Sequence, residues 1–220
     1  MKVSVAIMAH PRRKQFVEEL LPQMDTEPEV IWDRHGDRWD TGRRAMQAYG
    51  PGATHMLVIQ DDAIVSRDLV AGVERALRQV PASSGTPTPL SLYTGRRKAF
   101  RKVLHQHVGA RRVSWLTMPS LYWGVGVVMP VELIGPMIAW GDGHPEIPNY
   151  DLRMGAWLAS EGITVWYPWP SLVDHRHSPS LVAGRSSSRR RHAYRFIGTE
   201  KSALSQRWDR GVAKIPHWKD

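Results

Sequence analysis

The stretch Met56-Leu57-Val58-Ile59-Gln60-Asp61-Asp62-Ala63-Ile64-Val65 decides how the rest of the chain reads. Its four leading apolar residues suit a buried strand, because a short apolar run packs well between two covered sheet faces. Two adjacent carboxylates, Asp61 and Asp62, close that strand. In open α/β sheets, ligands bind at the carboxyl ends of the strands. Paired acids repel each other, and a cation or a set of donors relieves the repulsion. A hard divalent ion takes oxygen ligands and commonly joins protein carboxylates to substrate phosphates. The competing expectation is a surface turn in which Asp62 caps the next helix.

The flanking segments alternate in kind. Val3 to Ala9 reads as a strand, and the turn His10-Pro11-Arg12-Arg13 ends it, since Pro cannot continue a ladder. Phe16, Val17, Leu20, Leu21 and Met24 recur at helical spacing. Glu29-Val30-Ile31-Trp32-Asp33 reads as a second strand ending in an acid. Thr41 to Tyr49 is predicted helical, with Asp40 or Thr41 as its cap and Gly50-Pro51-Gly52 as its stop. After the Asp-Asp strand, Ser66 or Asp68 caps a helix running to about Val80. Strand alternating with helix is the pattern of a parallel sheet with helices on its faces.

Pro81 to Pro89 reads as a loop. Beyond it, Leu90 to Tyr93, Val113 to Leu116 and Ile163 to Tyr167 are expected strands. Val131 to about Trp140 is an expected helix broken at Pro136, followed by the loop Gly141-Asp142-Gly143-His144-Pro145. Asp151 to Ser160 is a further helix, stopped by Gly162. Gly95-Arg96-Arg97-Lys98 through Arg101-Lys102 forms a basic cluster, and Asp174-His175-Arg176-His177-Ser178 a polar knot.

With 220 residues the chain can bury a real core, and one domain is expected. It divides into residues 1–183 and a basic extension over 184–220, where three serines precede Arg189-Arg190-Arg191. The net charge of +9 points to a polyanion or to phosphorylated substrates. The absence of cysteine excludes disulfides, thiolate zinc sites and a thiol nucleophile, and it suits a cytoplasmic setting. No apolar run reaches the ~20 residues that span a bilayer, and the first ten residues read as a strand rather than a leader. Gly36 and Gly42 are too isolated to build a dinucleotide or P-loop fingerprint, and no serine sits in a nucleophile elbow. Most of the ten tryptophans are expected in the core, with one or two free to stack on a sugar or base.

Taken together, these segments resemble the GT-A glycosyltransferases. Val58 to Val65 is similar to their strand–acid motif, closest to the Glu-Asp-Asp version of the lipopolysaccharide-type enzymes. Trp123-Gly124-Val125-Gly126-Val127-Val128-Met129 resembles the segment that shapes their donor and acceptor site. Asn149-Tyr150-Asp151-Leu152-Arg153-Met154 resembles the helix start that carries the general base in inverting members. Asp174 to Ser178 resembles the late His segment of related phage and bacterial enzymes. The resemblance covers residues 1–183. It implies a GT-A-like, Rossmann-type α/β fold with a mixed, mostly parallel sheet flanked by helices. It also implies inverting transfer from a nucleotide-sugar to an acceptor hydroxyl, assisted by Mn or Mg. Gln60 departs from the motif, standing where that version carries Glu, and so lowers the local negative charge.

Site roles follow from the resemblance. Asp62 is the first metal ligand and His175, ahead of His177, the second, although a structural His reads equally well. Asp61 meets the ribose or the metal's water shell. Asp151 is either the general base or the helix N-cap, and Asp142 is the reserve base. Asp33 binds nucleobase or ribose; Arg12, Arg43 and Arg44 face diphosphate, or Arg43 and Arg44 are helix-surface charges. Trp123 and Gly124 border the donor. Arg96, Arg97 and Lys98, with Arg111-Arg112 and Arg189, Arg190 and Arg191, favour a DNA acceptor bearing a hydroxylated base, in a host cytoplasm if the chain is phage-encoded. The other acceptors are a protein, such as a capsid subunit, or a cell-envelope glycan. A reading of a different class is a basic nucleic-acid-binding module without catalysis.

Overall fold

β1 (Val3–Ala9), an apolar strand buried along most of its length, is the centre of a three-stranded parallel layer. β2 (Glu29–Trp32) lies on one side of it and β3 (His55–Gln60) on the other, in register Val3 with His55 through Met8 with Gln60. The carboxyl ends of β1, β2 and β3 therefore meet on one edge. The structure is a computed structural model describing residues 1–80, 87–178, 181 and 191–218.

Between β1 and β2 runs α1 (Lys14–Leu20), with a short 3-10 turn at each end. α2 (Arg38–Gln47) precedes β3. Its cap is Asp37, whose carboxylate accepts from the backbone N–H groups of Trp39 and Asp40, and not Asp40 or Thr41. Asp40 sits instead in the first turn, where a carboxylate favours the helix N-terminus. After Asp61-Asp62 come a short β4 (Ala63–Val65) and α3 (Leu69–Gln79), whose entry residue Asp68 adopts φ +55°. β5 (Leu90–Ser91), α4 (Lys98–His107), β6 (Trp115–Met118), β7 (Gly126–Pro130), α5 (Val131–Asp142), α6 (Tyr150–Ser160), β8 (Val165–Pro168), β9 (Val173–His175) and β10 (Val212–Lys214) complete the order.

Eight strands form the main sheet in the order β10-β6-β8-β5-β7-β3-β1-β2. β1 with β2, β1 with β3, β5 with β8 and β6 with β10 are parallel, and the other three neighbouring pairs are antiparallel. α1, α2 and α3 pack against β1, and α5 against β7. The mixed, mostly parallel sheet flanked by helices is thus the architecture of this chain.

Four expectations are corrected. The basic cluster at 96–102 runs into a helix, α4, because Phe100 and Leu104 one turn apart bury an apolar stripe beneath the charges. Pro136 does not break α5, which continues through it; the bond it loses is a single one to the preceding turn. The polar knot contains a strand: β9 pairs antiparallel with β4, setting His175 opposite Ala63. Residues 191–218 are folded into the domain. β10 extends the main sheet, Trp208 packs on Trp115 at 4.6 Å, and Trp218 stacks on Tyr122 at 4.0 Å. Among the described residues, no helix is long and apolar enough to cross a membrane.

Candidate functional site

The carboxyl edge of β1 and β3 opens into a cleft of about 1630 Å³. Gln60, Asp61 and Asp62 line it, with His10, Arg13 and Asp33 beside them. Asn149, Tyr150, Asp151 and Leu152 from the start of α6 form one side. Arg96, Arg97, Lys98, Arg101 and Lys102 line it from the segment that enters and forms α4. His175 and Arg191 complete the lining near the acids.

Both acids are buried. Asp61 is fully engaged: one oxygen accepts from the backbone N–H of His10 at 2.8 Å, the other from Arg13 Nη1 at 2.9 Å. Burial and then the Asp62 charge push the Asp61 pKa up, against the opposing pull of His10 and Arg13. Arg13 Nη1 also donates to Asp62 Oδ2 at 2.5 Å. Burial opposes the Arg13 charge, but the two carboxylates outweigh it and raise its pKa. The other oxygen, Asp62 Oδ1, is buried and has no hydrogen-bond partner among the described residues.

His175 reaches Asp62 because β9 pairs with β4. Its Nδ1 lies 2.8 Å from the carbonyl of Arg176. A carbonyl only accepts, so this nitrogen carries the proton. Nε2 then faces Asp62 Oδ2 at 3.2 Å. In the neutral ring, that places a lone pair against a carboxylate oxygen, an arrangement that a proton or a cation between them relieves. An imidazole that donates its remote N–H to a backbone carbonyl is also the usual posture of a metal-ligating His. Neighbouring ligands of an ion bound at 2.0–2.1 Å stand about 3 Å apart. The Asp62–His175 pair and the bare Oδ1 therefore fit a small divalent ion. Among the described residues, no group of three His, Asp or Glu side chains converges on such a point. The protein would supply two side chains and leave the other positions to phosphate and water, as Mg²⁺ sites commonly do.

Asp151 lies in the first turn of α6, and the N-cap position belongs to Asn149. The Asn149 side chain accepts from Arg38, tying α6 to α2. Asp151 accepts from the backbone N–H of Leu152 at 3.0 Å. Gly124 packs hard against this turn: a Cβ there would lie 2.6 Å from Asp151 Cβ and 2.6 Å from Tyr150 Oη. The buried Tyr150 hydroxyl donates to the Gly124 carbonyl, and burial followed by the Asp151 charge holds its pKa well up. Gln60 reaches toward the same hydroxyl, at 3.4 Å. One contact set thus fixes the strand end, the 123–125 segment and the acidic helix start together.

Other candidates are placed differently. Asp33 borders the cleft but its Oδ1 already accepts from the N–H groups of His35 and Gly36. Trp123 borders it as a mostly buried ring, edge-on to Phe100 at 5.1 Å. Arg12 is exposed and does not line the cleft; its neighbour Arg13 does. Arg43 and Arg44 also lie outside the lining, paired with Asp40 at 3.1 and 2.8 Å as helix-surface charges. Asp142 accepts from Trp39 Nε1 at 2.7 Å and lines a separate hollow of about 400 Å³, so it does not face the acid pair. Arg96 donates to the Ala193 carbonyl at 2.8 Å. Arg191 Nη1 lies 3.5 Å from His175 Nε2, and its buried Nε has no partner among the described residues. Arg111 and Arg112 are exposed beyond α4, outside the lining, and Arg189 and Arg190 lie outside the described residues. Arg13, Arg38 and Asn149 were not singled out from the sequence. Arg13 had a signal, its place at the end of the first strand, but the tightness of the Pro11 turn decides which of two adjacent arginines turns inward.

No protein-family model matches the chain, and no curated protein does. Among solved structures, it is similar to a mutant of Drosophila β-1,4-galactosyltransferase 7 in complex with manganese, UDP-Gal and xylobiose. The TM-score is 0.46 at 10% identity, over 98% of this chain and 93% of that one. At that distance the likeness assigns neither an activity nor a residue role.

Proposed function

We propose that the chain is a metal-assisted glycosyltransferase that moves a sugar from a nucleotide-sugar to an acceptor hydroxyl with inversion. The observation that carries this reading is the pairing of His175 with a buried Asp62 at a strand end, one of whose oxygens has no partner among the described residues, in a cleft that Asp151 also lines. Asp62 and His175 would hold Mn or Mg, which when bound supplies Lewis-acid stabilisation to the departing diphosphate. Asp61, with both oxygens engaged, holds Arg13 and the His10 backbone in place. Asp33 faces the ribose or nucleobase from the end of β2, and Trp123 and Gly124 border the donor.

Transfer passes through an oxocarbenium-like state, as in glycoside hydrolysis. The attacking hydroxyl must lose its proton, and in this reading Asp151, which lines the cleft from the first turn of α6, takes it. Gly124 lets the backbone of its segment pack directly against Asp151 and Tyr150 at the start of α6, where any side chain would intrude.

The acceptor in this reading is DNA bearing a hydroxylated base, in a host cytoplasm if the chain is phage-encoded. Its support is the basic wall of Arg96, Arg97, Lys98, Arg101 and Lys102 in the same cleft as the acids. Phosphate contacts position a duplex, and an enzyme acting on a base takes it out of the stack. A protein or cell-envelope acceptor is the alternative, and a non-catalytic nucleic-acid module leaves the acid pair and His175 without a use. Incubation with a panel of nucleotide-sugars tests the class. Metal-dependent donor consumption, slow by hydrolysis alone and faster with acceptor, is expected; no turnover of any donor refutes it.

A further inference from the structure

Arg13 occupies the place where a cation belongs. One nitrogen, Nη1, spans both acids, at 2.9 Å from Asp61 Oδ1 and 2.5 Å from Asp62 Oδ2. The two acids are not equivalent partners. Asp61 keeps a backbone donor, His10 N–H, on its other oxygen, whereas the other oxygen of Asp62 has no partner among the described residues. Arg13 can therefore let go of Asp62 and remain anchored on Asp61. Its guanidinium has five N–H donors in a rigid fork, which suit a phosphate as well as a carboxylate. Its side chain is mostly buried yet borders the cleft, so a small turn about the Asp61 contact moves its donors within the site.

We propose that Arg13 is an internal counter-cation of the acid pair: it neutralises Asp62 while the site is metal-free and is displaced from Asp62 when a divalent ion binds there. This rests on the metal-assisted reading above. Two positive groups cannot share Asp62 Oδ2 without repulsion, so Arg13 and the ion compete for one oxygen. The cost of that competition sets the metal affinity of the site at a weak level until an anionic diphosphate arrives. Once displaced, Arg13 offers the diphosphate the donors it withdrew from Asp62. Metal and donor thereby load together rather than in isolation.

The test is a Mn²⁺ titration of the full chain, with free Mn²⁺ read by electron paramagnetic resonance, in the absence of nucleotide. Wild type, Arg13→Gln, Arg13→Lys and Asp62→Asn are compared, with folding checked by circular dichroism. Arg13→Gln should bind Mn²⁺ on the order of tenfold more tightly than wild type, because the competing charge is gone. Arg13→Lys keeps a charge at the same place and should stay near wild type, which a merely structural role for Arg13 does not require. Addition of a nucleoside diphosphate should tighten Mn²⁺ binding more in wild type than in Arg13→Gln. Equal or weaker Mn²⁺ affinity in folded Arg13→Gln overturns the proposal while leaving the metal reading standing. If Arg13→Gln does not fold, a wild-type affinity in Arg13→Lys that nucleoside diphosphate fails to tighten overturns it equally. Absence of Asp62-dependent Mn²⁺ binding in every folded protein overturns both.

Discussion

Gly124→Ala probes the contact on which the placement of Asp151 depends. The added methyl group would lie 2.6 Å from Asp151 Cβ, 2.6 Å from Tyr150 Oη and 2.9 Å from Tyr150 Cζ. Carbon contacts are optimal near ~3.5–4.0 Å, so the start of α6 must retreat by roughly 1 Å. Overpacking of this kind typically costs about 1–3 kcal/mol. In a chain of this size each kcal/mol lowers Tm by about 2–4 °C. A catalytic group misplaced by ~1 Å can cost on the order of 10²-fold in rate. Calorimetry should therefore show a Tm lower by a few degrees, and steady-state kinetics a fall mainly in kcat. Adding Tyr150→Phe removes the hydroxyl half of the clash and should return part of the stability. The rate should stay low, because Asp151 Cβ is still displaced. A Gly124→Ala protein with both the wild-type Tm and the wild-type kcat would refute the packing and with it the argument for how Asp151 is held.

Asp62→Asn should lower transfer by at least ~10²-fold and weaken Mn²⁺ binding, since a neutral amide is a poor ligand; full activity in the folded variant removes Asp62 from its role. Asp151→Asn should reduce kcat by ~10²–10⁴ with donor affinity, read by calorimetry, nearly unchanged; retained anomeric configuration in the wild-type product would equally remove Asp151 as base. Alanine at Lys98, Arg101 and Lys102 together should weaken DNA binding and flatten its salt dependence, because fewer counterions are released; an unchanged slope would move the acceptor away from DNA. Burial first, and then the nearby α-amino charge, lowers the His55 pKa to about 4. The unfolded chain, with its ordinary value near 6.5, then binds more protons across that interval. Stability should fall as pH drops from about 6.5 towards 4, with a slope of at most ~1.4 kcal/mol per pH unit before solvent screening reduces it. Denaturant titrations of wild type and His55→Gln across that range check this; identical slopes would refute it.

The acid pair and the first half of the sheet were legible because β1, β2 and β3 carry apolar runs that end at charged or turn residues. The convergence of His175 on Asp62 was less so. It depends on the pairing of two three-residue strands, β4 and β9, which are too short to show any periodicity. α4 was hidden because its buried face, Phe100 and Leu104, is outnumbered by basic residues. The C-terminal segment read as an extension from its arginines and serines. Its real signal was aromatic, Trp208 and Trp218, which lock it onto Trp115 and Tyr122. Asp142 was misplaced because two flanking glycines suggested a loop, whereas α5 continues to that residue and turns it toward Trp39. Arg43 and Arg44 found a nearer partner in Asp40, three and four residues back on the same helix.

The central claim is glycosyl transfer at the Asp62–His175 site, and mass spectrometry of the acceptor tests it most directly. DNA containing a hydroxylated base is incubated with Mn²⁺ and a panel of nucleotide-sugars, using wild-type protein and folded Asp62→Asn in parallel, and its nucleosides are then analysed. The account predicts one glycosyl residue added to the hydroxylated base by wild type and essentially none by Asp62→Asn. Transfer to a protein or glycan instead would change the acceptor alone, whereas no sugar transferred to any acceptor and no donor consumed by the folded, Mn²⁺-supplied protein would contradict the account.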